Sequence, residues 1–396
     1  MAWILLGRSI VVAANLALLL PIGYLFLVTL AAAFYRRKPP SADAGSTRFL
    51  VVIPAHNEEA GVASTVQSCR AMDYPPGQFD VLVIADNCDD RTAEKAREAG
   101  ALVVERSDPV KKTKGFALEY LFAHLAETGD RANYDAAVVI DADTLVDADL
   151  LRRFSGPISG GADWLQCYYT VRNADQSWRT QLLTYAYSLI NGVMSQGQHV
   201  LGLGSGLRGN GMAFTFRGMD RVPWSSYGLA EDMEFCWQLR TAGERVTFVP
   251  ETRVYAEMVS KGGQGAASQR TRWEVGRAKL KGMFTGPLLR SSKNSVLFKF
   301  LYLIDINLPP LARLGLLLLL ATALTLAWAP TALTLALNAC LWAGLGCYLA
   351  SPFLLMRLPL RYGQALIYAP FYAFWKVALL LRPKPEAWVR TEREEA

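Results

Sequence analysis

The amino-acid sequence predicts an α/β domain on a mostly parallel sheet, flanked by transmembrane helices. Three observations predict it. Both terminal regions carry long, nearly unbroken apolar runs, the middle alternates Val/Ile-rich runs with helical spacing, and polar clusters follow those runs directly.

The first apolar run, Ile10 to Tyr35, is followed at once by Arg36, Arg37 and Lys38. About 20 residues at 1.5 Å per residue cross a bilayer core, so the run is long enough to span. Ala31 and Ala33 form an A-x-A-like cleavage pattern, which keeps a signal-peptide reading open. The length of the run and its basic flank favour a retained anchor over residues 1–38. A short Pro/Ser/Gly/Ala linker follows.

Residues 39–292 read as the α/β domain. Phe49–Pro54, Val81–Ala85, Ala101–Glu105 and Ala136–Ile140 are buried-strand runs, and Glu59–Met72 and Asp90–Gly100 have helical spacing. Continuous apolar strands separated by helices imply a sheet covered on both faces. Ligands in such sheets sit beyond the carboxyl ends of the strands.

Residues 293–382 turn apolar again. Asn294–Ile306 has the pattern of an interfacial amphipathic helix, and Leu308–Trp328 and Thr331–Met356 are two further spanning candidates. Arg357 and Arg361 follow the second, as cytosolic flanks do. Gly363–Leu381 is ambiguous; an interfacial or re-entrant path agrees best with a charged tail (383–396) left in the cytosol.

A composition of 52 % hydrophobic and 19 % charged residues is too apolar for an ordinary soluble enzyme and too polar for a pure transporter. The net charge of +6 suits anionic headgroups or a phosphorylated substrate. It is too dispersed for nucleic acid, and no nucleic-acid motif accompanies it. Six scattered cysteines without CxxC spacing fit a reducing compartment. His56, His124 and His199 form no cluster, and Trp164, Trp178, Trp224 and Trp237 read as packing residues.

Five polar clusters carry the chemistry: Pro54-Ala-His-Asn57-Glu58-Glu59, Asp86-Asn87-Cys88-Asp89-Asp90, Asp141-Ala142-Asp143, Glu231-Asp232 and Gln269-Arg270-Thr271-Arg272-Trp273. Asp-x-Asp at a strand end offers carboxylate oxygens to a hard divalent cation such as Mg²⁺ or Mn²⁺. That ion would neutralise a departing diphosphate. An unpaired Asp86 would accept hydrogen bonds from a base or ribose, and Lys114 would supply a cation for phosphate. Glu231-Asp232 offers a base for an acceptor hydroxyl. Arg272 suits bidentate phosphate binding and Trp273 suits stacking beneath a sugar. Each cluster alone also reads as a turn, a helix cap or a core face.

In this order and strand context, from about Phe49 to Arg277, the clusters resemble glycosyltransferase family 2. Within it they resemble the membrane branch that includes cellulose, chitin and hyaluronan synthases and ceramide glucosyltransferase-like enzymes. The resemblance implies a GT-A nucleotide-diphospho-sugar transferase fold and inversion at the anomeric carbon. It places Pro54, Asn57, Glu58 and Asp86 around the nucleoside, Lys114 and Asp141 on the nucleotide and diphosphate, and Asp143 with Asp141 on the metal. Asp232 would be the general base, with Glu231 turned elsewhere on the helix. Gln269, Arg272 and Trp273 would clamp the diphosphate at the acceptor entrance. Leu207–Phe216, with Gly209-Asn210-Gly211, looks like the loop that approaches the donor sugar, although a plain tight turn fits equally. The common Asp-Asp-Gly-Ser is here Asp86-Asn87-Cys88-Asp89, so only its first position carries over.

The expected function is transfer of a hexose or N-acetylhexosamine from a nucleotide sugar, UDP-linked by expectation, to a lipid or glycan hydroxyl. The enzyme would sit in a bacterial inner membrane with its catalytic domain in the cytosol. A processive synthase that also secretes its product is the near alternative, and a catalytically dead membrane scaffold the distant one.

Overall fold

The computed structural model describes the backbone of residues 2–39, 45–228, 230–260 and 264–368, and their side chains except at 2–6 and 264–275. Eight strands form one sheet: β1 (Phe49–Ala55), β2 (Phe79–Asp86), β3 (Leu102–Arg106), β4 (Ala136–Val139), β5 (Thr144–Val146), β6 (Trp164–Val171), β7 (Met212–Thr215) and β8 (Thr247–Ala256). Their order is β3-β2-β1-β4-β7-β6-β8-β5. The helices are α1 (Ala2–Ala33), α2 (Val62–Arg70), α3 (Thr92–Glu98), α4 (Lys114–Thr128), α5 (Leu150–Ser159), α6 (Trp178–Tyr187), α7 (Ser195–Val200), α8 (Phe216–Arg221), α9 (Glu231–Ala242), α10 (Gln264–Arg290), α11 (Val296–Asn307), α12 (Leu311–Trp328) and α13 (Ala332–Leu355).

The four expected strands pair in parallel, with Phe49 opposite both Phe79 and Ala136. Alternation sends Phe49, Val51 and Ile53 to one face, against α2 and α5, and Leu50 and Val52 to the other, against α4 and α9. Both faces are therefore covered, and this is why β1 reads as an unbroken apolar run.

The sheet extends beyond that reading. β7 runs antiparallel to β4 and β6, and β5 antiparallel to β8. These strands are short or mix aromatic with polar residues, so they lack the Val/Ile signature. Trp164 is buried in the core, and its indole N–H donates to Glu244 at 2.9 Å.

Among the described residues, three helical stretches are long and apolar enough to cross a membrane: Gly7–Ala33, Leu311–Trp328 and Ala332–Leu355. They are tied together by buried amides. Asn15 donates to Thr325 Oγ1 at 3.0 Å, and Asn338 donates to Asn15 Oδ1 at 3.0 Å. Without water to compete, such bonds hold apolar helices in one register. The N-terminal part of α1 meets the α12–α13 turn, where Gly7 packs on Trp328.

Toward its other end α1 meets α7. A Cβ at Gly197 would stand 1.9 Å from Val28 O, so only glycine permits this approach. Gln196 donates to Ala32 O and Gln198 to the Tyr24 hydroxyl, both at 2.8 Å. Between α6 and α7 the chain makes a π-helical turn, Ser188–Met194. Helix α11 buries Leu301, Tyr302 and Ile306 and exposes the apolar Val296, Leu297 and Phe300. Of Gly363–Leu381, residues beyond 368 lie outside the described chain; Leu360–Tyr368 is a 3₁₀ stretch.

Candidate active site

The clusters at Asn57–Glu59, Asp86–Asp90 and Asp141–Asp143 follow the carboxyl ends of β1, β2 and β4. Pro54 pairs with Ile84 inside the sheet, and the chain then turns at Asn57, whose φ is +55°. Asparagine tolerates this left-handed geometry better than most residues. Asn57 Oδ1 accepts the Asp89 amide at 2.9 Å, and the Glu58 amide donates to Thr92 Oγ1 at 2.7 Å. These contacts stitch the β1 turn to the β2 turn, so Asn57 and Glu58 build the wall of the site.

Asp86 is not unpaired as expected. Arg106, at the end of β3, donates to its carboxylate at 2.5 Å, and both side chains are buried. Neighbouring strands β2 and β3 place Asp86 directly opposite Arg106, a pairing invisible without the sheet register. Arg106 also donates to Lys111 O at 2.8 Å and pairs with Asp108 at 3.1 Å, ordering the following loop. A cavity of about 440 Å³ opens here, lined in part by Asn87, Cys88, Arg106 and Lys112. Asn87 also has positive φ, +52°, and its enclosed Nδ2 has no hydrogen-bond partner. Lys112 stands at the cavity wall.

The Asp141–Asp143 turn is held from behind. Asn210 Oδ1 accepts the Asp141 amide at 3.2 Å, and its Nδ2 donates to Thr144 Oγ1 at 2.8 Å. Of the stretch Leu207–Phe216, residues 212–215 are strand β7. Gly209 and Gly211, both at positive φ, form the turn that presents Asn210 to the carboxylate pair.

Lys114, first residue of α4, bonds Asp141 and donates to Gly209 O at 2.5 Å. Enclosure lowers its pKa, but Asp141, Glu231 and Asp232 outweigh that and hold the ammonium above its ordinary value. Tyr169 on β6 lies beside the same pair. Burial first, then Tyr187, Asp141 and Asp143, keep its phenol protonated well above the usual range. Sequence reading did not single it out, because nothing on β6 marks which residue faces β4.

Glu231 and Asp232 open α9 behind the N-cap Ala230. Asp232 Oδ2 faces Gly209, about where a Cβ there would touch it at 3.4 Å. Burial raises its pKa, although the Met233 amide, Lys114 and Arg208 pull the other way. Glu231 lies within electrostatic reach of Asp232, Lys114 and Asp141. Burial and Asp232 push its carboxyl up to about 7, against the pull of Lys114. Gln269, Arg272 and Trp273 fall on α10 by backbone, but their side chains lie outside the described ones.

The carboxylates suit a hard divalent cation. Asp141 and Asp143 offer oxygen donors on one turn, and Lys114 already shows that Asp141 attracts a cation. Among the described residues no group of three or more His, Cys, Asp or Glu gathers for a metal. Two carboxylates would therefore need further oxygens from a bound diphosphate.

Comparison with known proteins bears on the fold and the family. A mannosyltransferase from Pyrobaculum calidifontis, solved with GDP-Man and Mn²⁺, superposes with a TM-score of 0.54 over 87 % of this chain and 97 % of that one, at 18 % identity. That likeness is one of fold. The beta-monoglucosyldiacylglycerol synthase of Synechocystis is 27 % identical over 57 % of this chain and 47 % of its own length. The poly-beta-1,6-N-acetyl-D-glucosamine synthase of Staphylococcus aureus is 23 % identical over 57 % and 53 %. The chain thus spans about half the length of these relatives. Residues 47–276, more than half of the chain, match the family described as "Glycosyltransferase like family 2". The chain has the GT-A fold and belongs to glycosyltransferase family 2.

Proposed function

We propose that this glycosyltransferase inverts the anomeric centre, moving a hexose or N-acetylhexosamine from a UDP-sugar to the hydroxyl of a lipid or glycan. The observation that carries the reading is the position of Asp232, next to Gly209 and within electrostatic reach of both Lys114 and Asp141. In a single displacement the acceptor oxygen attacks C1 as the nucleotide diphosphate departs from the opposite face. One carboxylate near the acceptor then suffices, and its raised pKa makes it a better base. Lys114 would meet the diphosphate as charge develops on it. Asp143 and Asp141 would hold a divalent cation, which supplies Lewis-acid stabilisation of the leaving group when bound.

The cavity by Asp86, Asn87 and Arg106 would take the nucleoside. Basic residues 36–38 after α1 and Arg357 and Arg361 after α13 favour a cytosolic catalytic domain, and Arg361 pairs with Asp175 of that domain at 2.8 Å. A bacterial inner membrane is the compartment this arrangement suits. A processive synthase is the second reading, supported by the relation to the staphylococcal polymerase; product length on a sizing column separates the two.

The deciding experiment is Asp232→Asn with purified protein in detergent. The amide keeps shape and removes basicity, so transfer should fall about 10²–10⁴-fold while UDP-sugar binding persists. Near-normal transfer would reduce Asp232 to a helix-terminal residue and remove the reading.

A further inference from the structure

Residues 224–228 join the starts of α4 and α9, the helices that open with Lys114 and with Glu231-Asp232. On the α4 side the fit is close. Trp224 Nε1–H donates to Gly115 O at 2.9 Å, and the Thr113 hydroxyl donates to Tyr227 O at 3.2 Å. A Cβ at Gly115 would stand 2.0 Å from Ser226 O, so any side chain there would push the two segments apart. The Tyr227 ring stacks on Phe116, with centroids 4.6 Å apart and planes within 11° of parallel. Its hydroxyl donates to Glu119, and Lys111 Nζ lies 5.4 Å from the centre of the Phe116 ring. Lys112, next in the chain, stands at the wall of the cavity beside Asn87.

The same residues are bonded again on the α9 side. Gly228 N–H donates to Glu234 Oε2 at 3.2 Å, and the Ser225 hydroxyl donates to Gln238 Oε1 at 3.0 Å. Gln238 returns a bond to Ser225 O at 3.1 Å, and Trp224 packs on Phe235 with centroids 4.7 Å apart. A displacement at the start of α4 is therefore carried through packed rings and bonded backbone to the first turn of α9. The chemistry needs such a link. Lys114 stands on the leaving-group side and Asp232 on the acceptor side, and misplacing one reacting group by about 1 Å can cost about 10²-fold in rate.

We infer that Tyr227, stacked on Phe116, is a positioning residue of the transfer: a nucleoside diphosphate seated at Lys114 sets, through that stack, the place of Asp232. The inference rests on the roles of Lys114 and Asp232 proposed above. Its test is hydrogen–deuterium exchange of the full chain in a neutral detergent, with and without UDP and Mn²⁺, and with GDP in parallel. In the unsubstituted protein, nucleotide should slow exchange at least about threefold in peptides covering 111–116 and also in those covering 231–238. Tyr227→Ala and Phe116→Leu should each keep the slowing at 111–116 and lose it at 231–238. Tyr227→Phe, which preserves the stack, should retain both. A merely structural role would speed exchange with and without nucleotide alike and leave the difference in place. Phe116→Leu acts from α4 and leaves residues 224–228 unaltered, so a misfolded Tyr227→Ala variant does not decide the outcome. Persistent slowing at 231–238 in Phe116→Leu overturns the positioning role alone, as does slowing confined to 111–116 in the unsubstituted protein. No slowing in either region with either nucleotide overturns the reading of Lys114 as the diphosphate ligand, and the positioning role with it.

Discussion

Gly209 sits between Lys114 and Asp232: its carbonyl accepts the lysine ammonium at 2.5 Å, and its Cα faces the aspartate carboxylate. A Cβ there would stand 3.4 Å from Asp232 Oδ2, which is ordinary contact, so steric clash is not what forbids a side chain. The backbone decides instead, because φ is +78°. Gly209→Ala should cost about 1–2 kcal/mol of strain and shift the turn that carries both partners. We expect a transfer rate at least about tenfold lower, with Gly209→Asn milder because Asn tolerates this region. Parallel initial rates and unfolding midpoints for the two variants check this.

The acid pair predicts a pH dependence with a definite sign. Asp232 must be unprotonated to accept a proton, and both its pKa and that of Glu231, pushed up to about 7, are raised. The transfer rate should therefore climb with pH over a range above that of an ordinary aspartate. Glu231→Gln removes a neighbouring negative charge, lowers the Asp232 pKa, and should move the rising limb to lower pH. A limb that stays in place in that variant counts against the assignment.

Metal removal should abolish transfer, and Asp143→Ala should lower it about hundredfold or more, since leaving-group stabilisation by a cation is worth several kcal/mol. Titration of chelator and of Mn²⁺ or Mg²⁺ against initial rate is the measurement. Undiminished turnover after exhaustive chelation rejects the metal site.

The Arg240–Asp305 pair joins α9 to α11 with both side chains buried. Arg240 also lies over the Trp237 and Tyr302 rings, at 4.6 and 4.9 Å. Asp305→Asn would leave a buried cation short of its partner and should cost about 3–5 kcal/mol. An Arg240→Met/Asp305→Leu double variant should recover much of that loss. Thermal unfolding in detergent, read with UDP-sugar binding, compares them.

The sequence made some layers plain and hid others for physical reasons. Runs such as Phe49–Ile53 announce central parallel strands because both faces are buried. The Asp141–Asp143 cluster stands out because it directly follows the apolar run Ala136–Ile140. Arg106 was hidden because its bond to Asp86 depends on strand register, and Tyr169 because the order of β6 and β7 cannot be read from local spacing.

The anchoring of α9 has a kinetic consequence. Its carboxyl-terminal end is fixed by Asp305 of α11 and, through Gln198 and Tyr24, to α1. In the reading proposed above, the reactive carboxylate is then held at the bilayer surface. A soluble donor would arrive in three dimensions and a lipid acceptor in two. The rate would follow the mole fraction of acceptor within the leaflet rather than its bulk concentration, and diluting the acceptor with inert lipid would slow the enzyme at constant total acceptor.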